Sequence, residues 1–306
     1  MTQPEADSPS TTRSCRIARC RAAGGVVLAV ALAVIALGVA GCTTPASSQT
    51  SSAEPSATVI ATAPAVPATL PAVLEPHFPP SMAGYKLVFN DEFRGPAVTD
   101  RRWTTSLPWG NTNTDELQYY TPAALSQSNG VLTITASQQP LNGEPYQSGV
   151  ISSADRFQFV YGYAEIRAQI PAGDGLWSAF WLLSPVHSSN EEVDVLEILG
   201  QDPSLGYAVL HFWTAIDKGK WLGTYRNPDF SVGFHTFGVD WEPDHMAWYV
   251  DGVERYRVTQ NIPSSPMFIV TNLAVGGPQS WSGAPNRFTV FPAQLKVDYI
   301  RVFQRK

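Results

Sequence analysis

From Met82 onward no stretch of 12 or more residues carries helical periodicity, and this limits more than anything else what the chain can fold into. Apolar and polar residues alternate instead in short runs: Leu87-Val88-Phe89, Val131 to Thr135, Phe157 to Val160 and Tyr163 to Ala168. Met246 to Val250 and Val253 to Val258 flank Asp251-Gly252, a dipeptide suited to the positive φ angles of a type I′ turn, so a hairpin is predicted there. Phe268 to Val275 and Leu295 to Phe303 read as late strands. Many short strands without a repeat imply a sandwich or a barrel.

Composition places that all-β domain. Residues 1–80 contain no Trp or Tyr, whereas all nine Trp lie between Trp103 and Trp281. Only residues 81–306 can build a large core, and about 225 residues is ordinary for one β domain. Residues 1–41 hold Arg13, Arg16, Arg19 and Arg21, then an uncharged stretch from Ala22 to Ala40, the form of a secretory signal peptide. The ending Val39-Ala40-Gly41-Cys42 resembles the bacterial lipobox, which implies cleavage before Cys42 and lipid on its thiol. An uncleaved membrane anchor is the other reading, since those 19 residues just span a bilayer. Both readings put the domain outside the membrane and tethered to it. Residues 42–80 are rich in Ser, Thr, Ala and Pro and bury too little to fold, so a disordered linker is expected. Its reach is about 35 Å as a coil and about 120 Å as stretched polyproline II.

The formal net charge is −6, and residues 1–41 hold four arginines against two acids, so the remainder carries −8. A domain that acidic is a poor binder of nucleic acid and suits a neutral polymer. Cys15, Cys20 and Cys42 all precede it, which excludes disulfide or thiol chemistry there, and the five His show no zinc spacing. No organic cofactor is expected.

Chemistry concentrates in Glu191-Glu192-Val193-Asp194-Val195-Leu196-Glu197-Ile198-Leu199, which reads as a strand. Strict alternation would scatter its acids over both faces. One extra residue at Val195-Leu196, a β-bulge, brings Glu197 round to join Glu192 and Asp194. Three like charges on one face repel, and burying them is costly, so folding alone would not select them. Glycosidic-bond cleavage wants such a set: Glu192 as ionised nucleophile, Glu197 as acid/base, Asp194 orienting Glu192. A calcium site and a merely solvated acidic strand remain open on spacing alone.

Glu192-Val193-Asp194-Val195-Leu196-Glu197 resembles the active-site motif of glycoside hydrolase family 16 in its bulged, laminarinase-like form. Phe89-Asn90-Asp91-Glu92-Phe93, Glu116 to Thr121, Trp177-Ser178-Ala179-Phe180-Trp181, Asn272 to Gly277 and Val297 to Val302 match the family in order, and together cover nearly all of residues 83–304. The resemblance implies a β-jelly roll of two antiparallel sheets, related to concanavalin A, with a cleft on the concave one. It implies a retaining, endo-acting hydrolase of β-1,3-glucan or mixed β-1,3/1,4-glucan, monomeric, with carboxyl groups about 5–6 Å apart. The same mechanism on a bacterial exopolysaccharide or galactan, a transglycosylase, and a non-catalytic lectin on the same sandwich are the alternatives; loss of the carboxylates would mark the lectin.

Sugar rings stack on aromatics, and Trp177 and Trp181 sit in the family motif. Trp109 and Trp281 lie in loop-like sequence and join them as candidate cleft residues, while Trp103, Trp241 and Trp248 read as core. The resemblance adds His211 and Asn272 to the cleft. It also implies a structural calcium held by the carbonyls of Glu92 and Gly130 and the carboxylate of Asp298. Three positions depart from the family: Thr114-Asp115 replaces Asn-Asn, Val150 replaces an Arg, and Glu191 replaces a Gly.

Overall fold

The computed structural model describes residues 83–98, 101–185, 191–213, 218–227 and 229–306. The expected signal peptide, Cys42 and the linker lie outside them. Among the described residues the strands are β1 (Tyr85–Asp91), β2 (Gln118–Tyr120), β3 (Leu125–Ser128), β4 (Val131–Ala136), β5 (Tyr146–Ser148), β6 (Val150–Ser152), β7 (Gly162–Gln169) and β8 (Leu176–Leu183). They continue with β9 (Glu192–Leu199), β10 (Leu205–Trp213), β11 (Lys218–Arg226), β12 (His235–Glu242), β13 (His245–Val250), β14 (Val253–Val258), β15 (Phe268–Val275) and β16 (Ala293–Arg305). The only helical piece described is a 3₁₀ turn at Pro122–Ala124.

Two antiparallel sheets form the sandwich. One runs β14-β13-β12-β7-β16-β4-β3, with β1 also on β16; the other runs β11-β10-β9-β8-β15-β6. Alternation within each strand sends one set of side chains between the sheets. Ile134, Ile166, Val239, Trp248 and Val302 of the first sheet pack there with Phe180, Val193, Ile198, Leu210 and Leu273 of the second, all essentially inaccessible. The architecture is the expected jelly roll. The Asp251-Gly252 turn has φ angles of 51° and 75°, as a type I′ turn requires.

One expected strand is absent. Phe157 to Val160 makes only a single bridge, Phe159 to Met267, because the chain turns through Asp155 at φ 62° and Tyr161 at φ 59° on either side. The end motifs prove to be structural. Asp91 accepts from the Trp103 indole at 2.8 Å and from the Phe93 amide at 2.9 Å, and Glu92 forms a bidentate pair with Arg301, both contacts 2.8 Å. These bonds tie the entry of the domain to its last strand.

Glu165 in β7 faces away from the core yet is only 1% exposed, roofed by Tyr163 and Tyr299, whose hydroxyls donate to it at 2.8 and 2.7 Å. Burial pushes its carboxyl up to about 7 despite those bonds. The sign follows: the native state holds the proton more tightly, so its stabilisation is complete below the unfolded value near 4.5 and is lost as pH rises through about 7. The loss across that window is about 3 kcal/mol. Glu165→Gln, which never ionises, should flatten the fall in melting temperature between about pH 5 and pH 8. An unchanged slope would remove Glu165 from the explanation.

Candidate active site

Strand β9 carries the site. On β8, Phe180 pairs with Leu196 but Trp181 pairs with Asp194; on β10, Tyr207 pairs with Glu197 but Val209 with Asp194. Val195 is therefore the extra residue of a bulge. Val193, Val195, Leu196 and Ile198 all enter the core, while Glu192, Asp194 and Glu197 line one hollow on the other face. The bulge also needs support from behind. Trp248, on the opposite sheet, crosses the core and donates its indole N–H to the Asp194 carbonyl at 2.8 Å.

Burial separates the three acids. Asp194 and Glu197 are 4% and 7% exposed, whereas the Glu192 side chain is 33% exposed. Desolvation, and then the charge of Glu192, pushes Asp194 well above the ordinary carboxylate range. Desolvation, then Asp194 and Glu192, does the same to Glu197, with Lys220 opposing. Glu192 is raised less, because His211 lies 3.8 Å from its carboxylate and opposes the desolvation. The environment thus favours the ionised form at Glu192 over the two deeper acids. The Trp177 indole N–H points at Glu197 and favours its ionised form, without completing hydrogen-bond geometry.

A hollow of about 240 Å³ above β8, β9 and β15 is lined by the three acids with Trp109, Trp177, Trp181, Glu116, Tyr120 and Asn272. A second, of about 460 Å³, lies above β10 and β11 and is bounded by Glu192, His211, Trp213, Lys218 and Lys220. Glu192 stands where the two meet, so a chain can extend on both sides of it.

The candidate residues fall unevenly around these hollows. Asn272 accepts from the Trp181 indole and donates to the Tyr120 hydroxyl, both at 2.9 Å, so it holds a wall of the first hollow. His211 sits across β10 from Glu192 and is 3.5 Å from Asp194; burial lowers its own pKa. Trp281 does not line the first hollow. It packs edge-on against Trp177 at 5.6 Å and Tyr207 at 4.5 Å between centroids, forming the outer wall beside Glu197. Trp103, Trp241 and Trp248 are core, as expected.

Glu116 and Tyr120 received no role from the sequence. Glu116 is mostly buried, its carboxyl raised by desolvation, and takes hydrogen bonds from Asn113, Gln118 and Tyr120 at 3.0, 2.5 and 3.2 Å. Their signal was present as polar residues at alternate positions, Glu116, Gln118 and Tyr120, in a short strand. Val150, where the family has an Arg, is fully buried beneath Tyr120 with Leu107 and Phe268, so this end of the cleft has an apolar floor.

The calcium set fits poorly. Gly130 lies close to the Glu92 carbonyl, but the Asp298 carboxylate is engaged by the Arg167 guanidinium at 2.6 Å. A cation there would compete with a charge already in place. Among the described residues, the His, Asp and Glu atoms spaced to hold a metal are those of Glu192, Asp194 and His211, within the acid cluster itself.

Comparison with known proteins agrees with this geometry. The model of Glycosyl hydrolases family 16 matches residues 113–301, which include all three acids. That of Beta-glucan synthesis-associated protein SKN1/KRE6/Sbg1 matches residues 16–188 and stops before β9. A beta-glucanase of Rhodothermus marinus is 31% identical over 72% of this chain and 85% of its own. A glucan endo-1,3-beta-glucosidase A1 of Niallia circulans is 31% identical over 74% of this chain, which spans only 39% of that longer protein. The X-ray structure of an endo-beta-1,3-glucanase from Pyrococcus furiosus superposes with a TM-score of 0.64 at 32% identity, covering 72% of this chain and 95% of that one. Matched by that family model over residues 113–301 and by a relative and a solved structure each covered over most of their length, the chain belongs to glycoside hydrolase family 16.

Proposed function

We propose that the protein is a retaining, endo-acting hydrolase of β-1,3-glucan or mixed β-1,3/1,4-glucan. The observation that carries this is the bulged β9, which turns Glu192, the most exposed of the three acids, together with the buried Asp194 and Glu197 into one aromatic-lined hollow. The Glu192 carboxylate attacks the anomeric carbon while Glu197 gives its proton to the leaving oxygen, breaking the glycosidic bond. Water then enters; Glu197, now a carboxylate, takes its proton as the oxygen attacks the anomeric carbon and Glu192 departs. Asp194, pushed toward its neutral form by burial and by the Glu192 charge, limits the charge in the cluster. The cleft open on both sides of Glu192 favours attack within a chain over attack at its end.

Digestion of laminarin and lichenan tests the reading. A ladder of oligosaccharides should precede glucose, and NMR of the first product should show the substrate's own β configuration. An α product would overturn Glu192 as nucleophile. In this reading the domain acts outside the cell membrane as a monomer, tethered through lipid on Cys42; an intact Met1 to Gly41 segment on the mature protein would end the lipid assignment.

A further inference from the structure

The second hollow does not suit a purely neutral polymer. Strand β11 is the edge of the six-stranded sheet, and its pairing sets Lys220 opposite His211 and Lys218 opposite Trp213. His211 in turn faces Glu192, so the row Glu192, His211, Lys220 crosses the sheet on its cleft face. Lys218 follows two residues away on the same face, its ammonium 4.8 Å from the centre of the Trp213 ring. Trp213 is 42% exposed. Edge strands often carry Lys simply to discourage pairing with another chain. That role needs no cavity and no aromatic neighbour, whereas these two lysines bound a hollow of about 460 Å³ with an exposed indole. They are concentrated there in a region that carries −8 outside the first 41 residues. Arg226, farther along β11, lies outside the hollow.

We infer that the hollow formed by His211, Trp213, Lys218 and Lys220 binds an anionic substituent, a carboxylate or a sulfate, on the sugar chain running away from Glu192. This rests on the glucanase reading above and narrows its substrate to a glucan bearing acidic groups. Trp213 offers a stacking face for the sugar, and the lysines meet the charge that a neutral glucan lacks.

Binding separates this inference from catalysis. Affinity electrophoresis of the Glu197→Gln enzyme, whose altered residue lies outside the hollow, would compare carboxymethyl-laminarin with hydroxyethyl-laminarin at equal substitution, a neutral polymer of similar bulk. The carboxymethyl polymer should bind about tenfold more tightly, as expected for one charge-assisted hydrogen bond. The preference should vanish in Lys218→Gln and Lys220→Gln backgrounds. It should also shrink as salt rises from about 0.01 to about 1 M, where the screening length falls from about 30 to about 3 Å. Sulfated laminarin in a parallel lane distinguishes sulfate from carboxylate. Equal binding of the carboxymethyl and hydroxyethyl polymers, with no gain for sulfate, overturns the inference, as does a preference that survives both lysine changes. Failure of the wild-type enzyme to cut laminarin would instead count against the glucanase reading and leave this binding result standing.

Discussion

Glu192→Gln should lower turnover on laminarin on the order of 10⁴-fold or more, the scale seen when a covalent nucleophile is removed. The side chain keeps its size and loses only its charge, and no other carboxylate can replace it. Desolvation pushes the carboxyls of both Asp194 and Glu197 well above the ordinary carboxylate range, which disfavours the ionised form a nucleophile needs. Melting temperature should stay the same or rise slightly, since the substitution removes a carboxylate whose charged form burial disfavours. A reducing-sugar assay beside a thermal scan makes the measurement. Unchanged release of reducing ends would remove catalysis by Glu192 altogether. Glu197→Gln differs in kind: a substrate whose leaving group departs without a proton should still load Glu192, while laminarin cleavage falls by about 10²–10⁴-fold.

Trp248→Ala should cost about 3–5 kcal/mol, the usual penalty for deleting a large buried aromatic. In a domain of this size that lowers the melting temperature by roughly 10–15 °C. Two losses combine here: the volume of a fully buried indole, and its hydrogen bond to the Asp194 carbonyl. Trp248→Phe separates them. It retains most of the packing but leaves that carbonyl without its partner, for about 1–3 kcal/mol. Because Asp194 sits beside the nucleophile, the Phe variant should also lower kcat more than it changes KM. A variant that loses stability but keeps full kcat would show that the bond supports only the fold.

Periodicity made much of this legible in advance. Alternation is a local property, so the strands, the Asp251-Gly252 hairpin and the extra residue at Val195 could be read from neighbours a few positions apart. Phe157 to Val160 misled for the same reason: its pattern is right, but turns on both sides leave it room for one bridge only. What alternation could not supply was pairing over distance. Asn272 meets Tyr120 across 152 positions and Trp181 across 91, and nothing local announces either contact. Lys218 and Lys220 acquire a setting only through the register, which places them opposite Trp213 and His211. Trp281, expected in the cleft from its loop-like sequence, is 47% exposed, yet its partners are other rings rather than the floor of the hollow.

Val195 gives the site one-sided freedom to change. Loss of that single position would restore plain alternation and still leave Glu192, Asp194 and Glu197 on the outer face, drawn closer by about 3.3 Å along the strand. A codon gained just before Glu197 would instead turn its carboxylate inward, against Phe180 and Leu210, where no partner waits. Descendants of this chain can shorten at that point and keep their chemistry, but they cannot lengthen.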